Sequence, residues 1–227
     1  MDKELDEVFA DVRRAFRLLS RYQSRVLDVV DYIREQAGFA VTYGRKDWYS
    51  YEIRQNKQTE DNYAHLTVFK DMWGLDFLYN HFFEYYFGDN SKQLKPTGKR
   101  YKANMSVFQV SDDGYFASKT KGKSMTNVGS FASPEESHSY LVFYVALFRN
   151  KKEYLWLNAE NQDGWKDFLT QFLESENLES IKRIGEGGFN ILKKYPMQQF
   201  ANQRSTDEAI KDFANVVYKK TGSKLFK

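Results

Sequence analysis

The chain has 227 residues, 17% of them aromatic and none of them cysteine, and its formal net charge is +3. The absence of cysteine excludes a disulfide framework, thiol chemistry and a soft zinc site. The longest apolar run, Tyr140–Phe148, is about half of the roughly 20 residues that span a membrane, and no signal-peptide pattern follows Met1, so we expect a cytoplasmic protein without a membrane segment.

One long helix is predicted over residues 3–37, and Gly38 supplies its stop. At about 1.5 Å per residue the helix is on the order of 50 Å long. Its apolar residues fit two arrangements, a coiled coil and a helix that lies across a sheet. Bulky rings such as Phe9 and Phe16 are unusual in a narrow coiled-coil seam, which favours the sheet. The residues that recur every seven positions are Leu5, Val12, Leu19, Val26 and Ile33.

The sheet region is predicted to span residues 39–157, where aromatic and β-branched residues are frequent. Trp48–Ile53 is expected to be a short strand, whereas the pattern of Leu75–Phe87 fits either a strand or a buried helix. Tyr140–Phe148 is apolar on both faces, so we expect a central strand there, turned back by residues 149–152 into Tyr154–Leu157.

A hairpin is predicted around the turn sequence of residues 111–114, because the Asp-Gly pair Asp113-Gly114 suits positive φ. Its two strands are expected to be Val107–Val110 and Tyr115–Phe116.

The C-terminal region, residues 158–227, is predicted to be helical. Ser205 is expected to be the N-cap of its last helix, with Glu208 completing a capping box and Gly222 ending the helix. The resulting fold class is α+β: a predominantly antiparallel, aromatic-rich sheet covered by a long N-terminal helix and C-terminal helices, in a single domain of residues 1–227.

Motifs for catalysis or metal binding are weak in this sequence. The three histidines, His65, His81 and His138, are far apart, and no Gly-x-Ser-x-Gly elbow occurs. Ser137-His138-Ser139 is interpreted as the entry to a strand, and the glycine-rich residues 185–188 as a turn or an anion-binding nest. Asp112 and Asp113 are expected to bond their own turn. We assign no catalytic residue, metal ligand or cofactor.

Basic residues are concentrated between positions 92 and 123, a segment that contains eight of them and only two acids. If the predicted hairpin forms, its two lysine-rich flanks come close together, with aromatic rings among them. Charge for phosphates and rings for bases are what single-stranded nucleic acid needs, but solvated lysine-rich loops explain the same pattern. The candidate nucleic-acid or phosphate-binding residues are Lys92, Lys95, Lys99, Arg100, Lys102, Lys119, Lys121 and Lys123.

Four arginines, spaced three or four residues apart, line one face of the first helix. Asp11 is within reach of Arg14, and Asp28 within reach of Arg25, but Arg17 and Arg21 have no acid at helical spacing. The guanidinium fork suits bidentate contacts with carboxylates, so these residues are the candidate partner-binding set: Arg14, Arg17, Arg21 and Arg25.

These observations favour an intracellular, non-enzymatic binding or adaptor protein that acts through protein–protein contacts. Its partner is expected to be another protein, or a second copy of the chain, on the first helix, and not a membrane. The main alternative is a nucleic-acid-binding or nucleic-acid-processing protein that uses residues 92–123. An enzyme with a carboxylate-bound metal is a third hypothesis.

Overall fold

The computed structural model describes residues 2–39, 43–45, 83–94, 101–114, 116, 131–148, 169, 171–184, 188–222 and 224–226. A long helix, α1 (Asp2–Ala37), opens this part of the chain, and a 19-residue helix, α2 (Gln203–Thr221), ends it. A short 3-10 helix, Met197–Phe200, precedes α2. The strands between them are β1 (Tyr43–Arg45), β2 (Phe83–Leu94), β3 (Tyr101–Val110), β4 (Tyr140–Phe148), β5 (Glu179–Ile184) and β6 (Gly188–Pro196).

The strands form one sheet in the order β1-β2-β3-β4-β6-β5, and every neighbouring pair is antiparallel. β4 lies inside the sheet, where Val145 is opposite Met105 on one side and Ile191 on the other. The residues of β4 from Leu141 to Phe148 are buried. The prediction of a central strand at Tyr140–Phe148 is therefore confirmed, and so is the fold class.

Helices cover one face of the sheet. The second half of α1 and the inner face of α2 pack there on alternate residues of the strands, so that Phe143 contacts the rings of Tyr195 and Phe213. The opposite face carries a smaller cluster built around Phe108 and Tyr144, beneath Leu169 and Phe172. Burial on both faces explains the uninterrupted apolar sequence of β4.

Gly38 ends α1 as predicted, in a Schellman motif. Its φ of 75° is left-handed, its N–H donates to the carbonyl of Glu35, and the N–H of Phe39 donates to the carbonyl of Arg34. A residue with a Cβ is strained at such a φ, whereas glycine is not.

The N-cap of α2 differs from the prediction. Asn202 is the cap, and its side chain accepts a hydrogen bond from the N–H of Ser205 at 3.0 Å. The expected capping box of Ser205 and Glu208 is therefore wrong, because the helix begins three residues earlier than predicted, at Gln203. Gly222 does end the helix, with φ 69° and an N–H bond to the carbonyl of Tyr218.

A ring of hydrogen bonds anchors α1 to the sheet. The Gln23 amide donates to the Tyr85 hydroxyl at 2.7 Å, and this hydroxyl donates to Gln109 Oε1 at 2.7 Å. The Gln109 amide donates back to Gln23 Oε1 at 3.2 Å. We call this closed set of Gln23, Tyr85 and Gln109 the root network.

Two expectations about strands are wrong. Residues 111–114 do not lead into a strand partner for β3, because Phe116 is helical and β3 pairs with β2 and β4 instead. Residues 158–227 are not purely helical, because β5 and β6 form an antiparallel hairpin within them. Of the region Leu75–Phe87, the residues from Phe83 onward are strand, and residues 75–82 lie outside the described part. The predicted strands Trp48–Ile53 and Tyr154–Leu157 also lie outside it.

Candidate functional site

The first part of α1 carries a row of half-exposed apolar side chains. Tyr22 is the first described residue of α1 that packs against the core of the sheet, whereas the residues of the row are 45–55% exposed. At 100° per residue, all five point to one side of the helix. We call residues 2–21 the arm, and its apolar row is Leu5, Val8, Phe9, Val12 and Phe16.

A row of half-exposed apolar side chains at one end of a helix is unusual for two reasons. Five half-exposed large side chains in line form a contiguous apolar patch, which marks interaction surfaces in soluble proteins. In addition, an isolated helix of about 20 residues is marginally stable in water, because most helices in proteins are stabilised by packing of their apolar face. The arm therefore has the properties of a helix that a partner covers.

The four predicted partner-binding arginines lie on the opposite face of the same helix. Arg14 forms an exposed ion pair with Asp11, as expected. Arg17 and Arg21 are exposed, and neither is hydrogen-bonded or ion-paired to another described residue. We call Arg14, Arg17, Arg21 and Arg25 the arginine row.

Arg25 differs from the prediction. Its Nη2 atom points to the carbonyls of Phe200 and Ala201, at 3.4 and 3.5 Å, instead of pairing with Asp28. The structure thus brings Arg25 to the junction between α1 and the 3-10 helix. Arg17 and Arg21 remain as the two exposed members of the row that have no charge partner among the described residues.

The basic residues proposed for nucleic acid lie mostly outside the described part of the chain. Lys92 is on β2 and Lys102 is on β3, but their side chains are not among those described. Lys95, Lys99, Arg100, Lys119, Lys121 and Lys123 lie wholly outside. The hairpin that was expected to bring the two lysine-rich flanks together is not formed, so that argument for their proximity no longer holds.

The carboxylates of the 111–114 turn bind the chain itself. Asp112 accepts the N–H of Gly114 at 2.9 Å, and Asp113 accepts the N–H of His138 at 2.6 Å. The His138 ring is exposed, with Nδ1 3.6 Å from Asp113 Oδ2. Asp112 thus bonds its own turn, as the sequence predicted, whereas Asp113 differs from the prediction and bonds the entry to β4. The carboxylates hold the turn and the entry to β4 against each other.

Lys194 is a buried cation that the sequence analysis did not identify. It is 6% exposed, and its Nζ atom donates to the carbonyls of Leu173 at 3.1 Å and Ser175 at 2.6 Å. Burial lowers the pKa of this lysine to about 8, although the Asp113 carboxylate acts in the opposite direction. Because its donors point to the carbonyls that end a helical segment, Lys194 caps that segment.

A second charged group connects α2 to the hairpin of β5 and β6. Lys193 Nζ lies 2.8 Å from Asp212 Oδ2 and 3.4 Å from Glu179 Oε2, and the Tyr195 hydroxyl donates to Asp212 at 2.6 Å. Partial burial raises the pKa of Asp212, but the hydrogen bonds from Lys193 and Tyr195 outweigh it and hold the pKa below its ordinary value.

Polar side chains are also buried on the sheet face opposite α1. Ser106 donates to Glu84 across β2 and β3, and Tyr144 donates to Asn190 at 3.0 Å across β4 and β6. Asn104, which is 1% exposed, lies on the same face. Sequence reasoning missed this set, because isolated polar residues in a strand normally indicate a solvated face. The only signal was the uninterrupted apolar pattern of β4, which implies that both faces are covered.

Neither a metal cluster nor a membrane span is found in the part of the chain that the structure describes. No group of three or more acidic or histidine side chains there is arranged to hold an ion. No helix among the same residues is long and apolar enough to cross a bilayer.

Comparison with known proteins identifies a family. No curated protein and no solved structure matches the chain. The family model described as PM0109 matches residues 2–222, which covers both helices and every described strand. The chain is therefore a member of the PM0109 family.

Proposed function

We propose that this protein is a non-enzymatic binding or adaptor protein that engages other proteins through its arm, in the cytoplasm. The observation that carries the proposal is the arm itself, a helical segment whose described side chains are mostly exposed. It presents a half-exposed apolar row on one face and an arginine row on the other. Phenylalanine and arginine are both enriched in protein interfaces relative to the rest of the surface.

The chemistry of the arm specifies the kind of partner that the arginine row fits. Arg17 and Arg21 are one turn apart on the solvent side of the helix, and each presents a fork of donors that matches a carboxylate. An acidic protein surface supplies such carboxylates without requiring bases to stack. We therefore favour a protein over nucleic acid as the partner.

Capture of the partner by the full-length protein tests this function. The wild type and the Arg17→Glu/Arg21→Glu variant are immobilised and exposed to a lysate of the native cells. The Lys211→Glu/Lys224→Glu variant is the matched control, because it makes the same charge change at exposed residues on α2 and the C-terminal segment.

The expected result is a protein that the wild type and the control retain and the arginine variant loses. That protein is then purified, and its dissociation constant is measured. Loss of two charge-assisted contacts is expected to weaken binding about 10-fold or more. The proposal is wrong if no protein depends on these arginines, or if nuclease treatment abolishes all of the binding.

A further inference from the structure

The apolar row needs an occupant, and the charges on the arm indicate which one. Residues 2–11 contain five acids and one lysine, whereas residues 12–25 contain five arginines and no acid. The arm is thus acidic in its first part and basic beyond it, along the same helix that carries the apolar row. A second arm that lies in the opposite direction places acidic residues beside basic ones, and a parallel one places like charges together.

We propose that a second copy of the chain covers the apolar row, arm against arm in antiparallel orientation. The inference rests on the proposed function, because it names the partner of one face of the same arm. The arginine row lies on the other face, so it stays exposed in such a pair and is presented twice.

The register of the pair follows from helix geometry. Asp6 and Arg13 are seven residues apart, so both flank the apolar row on the same side. In a two-fold antiparallel pair, equal sides of the two helices meet with their order reversed. A two-fold axis near Ala10 therefore places Asp6 of each copy beside Arg13 of the other.

The same register suits the apolar residues and the length of the arm. It sets Val8 of one copy opposite Val12 of the other, and Leu5 near Phe16. The overlap spans residues 2–18, about 25 Å of helix at 1.5 Å per residue. It ends before Tyr22, the first described residue of α1 that packs against the core of its own sheet.

Two other occupants explain the arm less well. A heterologous amphipathic helix would need the same acidic-to-basic order to match the arm, an order that a second copy provides automatically. An anionic membrane surface attracts basic amphipathic helices, but the acids at positions 2–11 oppose it. Both occupants are distinguished from a second copy by the experiment.

The experiment measures the mass of the full-length protein in solution between about 1 and 200 µM, by sedimentation and by light scattering. The wild type is expected to approach twice 26.9 kDa as its concentration rises. Val12→Glu, in the middle of the row, is expected to raise the dimer dissociation constant about 10-fold or more. Leu18→Glu is the matched control, because Leu18 is 68% exposed on the same helix but lies outside the row, and it should leave dimerisation unchanged.

A charge exchange tests the antiparallel register. Asp6→Arg alone and Arg13→Asp alone each place like charges together, so each is expected to weaken the dimer about 3-fold or more. The double variant Asp6→Arg/Arg13→Asp restores both pairs and is expected to return to within about 2-fold of the wild type. In a parallel pair the double variant has no such restoring effect. Circular dichroism verifies that α1 is intact in each variant.

The inference is overturned if the wild type is monomeric throughout, if Leu18→Glu acts like Val12→Glu, or if the double variant fails to recover. A monomeric wild type that binds anionic vesicles through the row assigns the row to a membrane instead. A monomer that loses its captured protein partner on Val12→Glu or on Arg17→Glu/Arg21→Glu refutes the second copy and leaves the proposed function standing. A dimer that captures no other protein supports the second copy and refutes the proposed function.

Discussion

Replacing Phe143 with alanine is the most direct test of the packing described above. Phe143 has no exposed surface, and its ring lies 4.9 Å from the ring of Tyr195 and 5.4 Å from that of Phe213. Removing the ring forfeits its burial and leaves a cavity between β4 and α2. Such Phe→Ala changes cost about 3–5 kcal/mol, so we expect Phe143→Ala to lower the free energy of unfolding by about 4 kcal/mol.

Phe9→Ala is the matched control, with the same chemical change on the arm. Phe9 is 49% exposed and lies before the first contact of α1 with the sheet. Alanine also has the higher helix propensity, by up to about 0.5 kcal/mol. We therefore expect this variant to change the free energy of unfolding of the monomer by less than about 1 kcal/mol.

Urea denaturation followed by far-UV circular dichroism and by tryptophan fluorescence measures both variants. The midpoint should fall strongly for Phe143→Ala at an unchanged denaturant slope. Each titration is repeated at a low and a high protein concentration, because pairing of arms adds a concentration-dependent contribution. The reasoning is refuted if Phe143→Ala loses less than about 1.5 kcal/mol, or if Phe9→Ala loses as much at low concentration.

Three further predictions concern polar groups. Tyr85→Phe removes the hydroxyl that closes the root network and leaves the partly buried Gln23 amide and the buried Gln109 amide each short of a partner, so it should lower the free energy of unfolding by about 1–3 kcal/mol in a urea titration. Because burial lowers the pKa of Lys194 to about 8, the unfolded chain keeps a proton that the folded chain has lost above this pH. The stability of the wild type relative to Lys194→Met should therefore rise between about pH 7 and pH 9.5, and a flat difference would contradict it. The lowered pKa of Asp212 stabilises the fold above the ordinary aspartate pKa, and this contribution disappears as the pH falls through the folded value. Asp212→Asn should thus lower the free energy of unfolding by less than about 1 kcal/mol at neutral pH, because solvent screens a side chain that is 49% exposed, and by less still in acid, as measured by thermal melts across that range.

The pattern of apolar residues predicted the helix and the strand in which that pattern is most regular. The seven-residue recurrence and Gly38 gave α1 almost to the residue, and the uninterrupted apolar run gave β4. The hairpin of β5 and β6 was missed, because β6 contains Lys193 and Lys194 where a buried strand is expected to be apolar. The structure explains both lysines, one in an ion-paired group and one as a helix cap.

The candidate site was predicted only in part. Spacing placed the arginine row on one face of α1, and Arg17 and Arg21 as partner-binding residues stay a prediction. The same periodicity implied that the whole apolar face lies on the sheet, which is true from Tyr22 onward and wrong for the arm. A heptad pattern predicts that one face of a helix is apolar, but it does not predict at which residue the burial of that face begins.

The root network has a consequence for how the arm is aimed. Each of its three side chains gives one hydrogen bond and receives another, so the circuit closes only at a single setting of α1 on the sheet. Moving α1 by one residue along its helical path turns the Gln23 side chain by about 100°, and would break its hydrogen bonds with both Tyr85 and Gln109. The sheet therefore fixes the rotation of α1 at the root network. Substitutions in residues 2–21 can change the surface of the arm without changing the orientation in which the sheet holds α1.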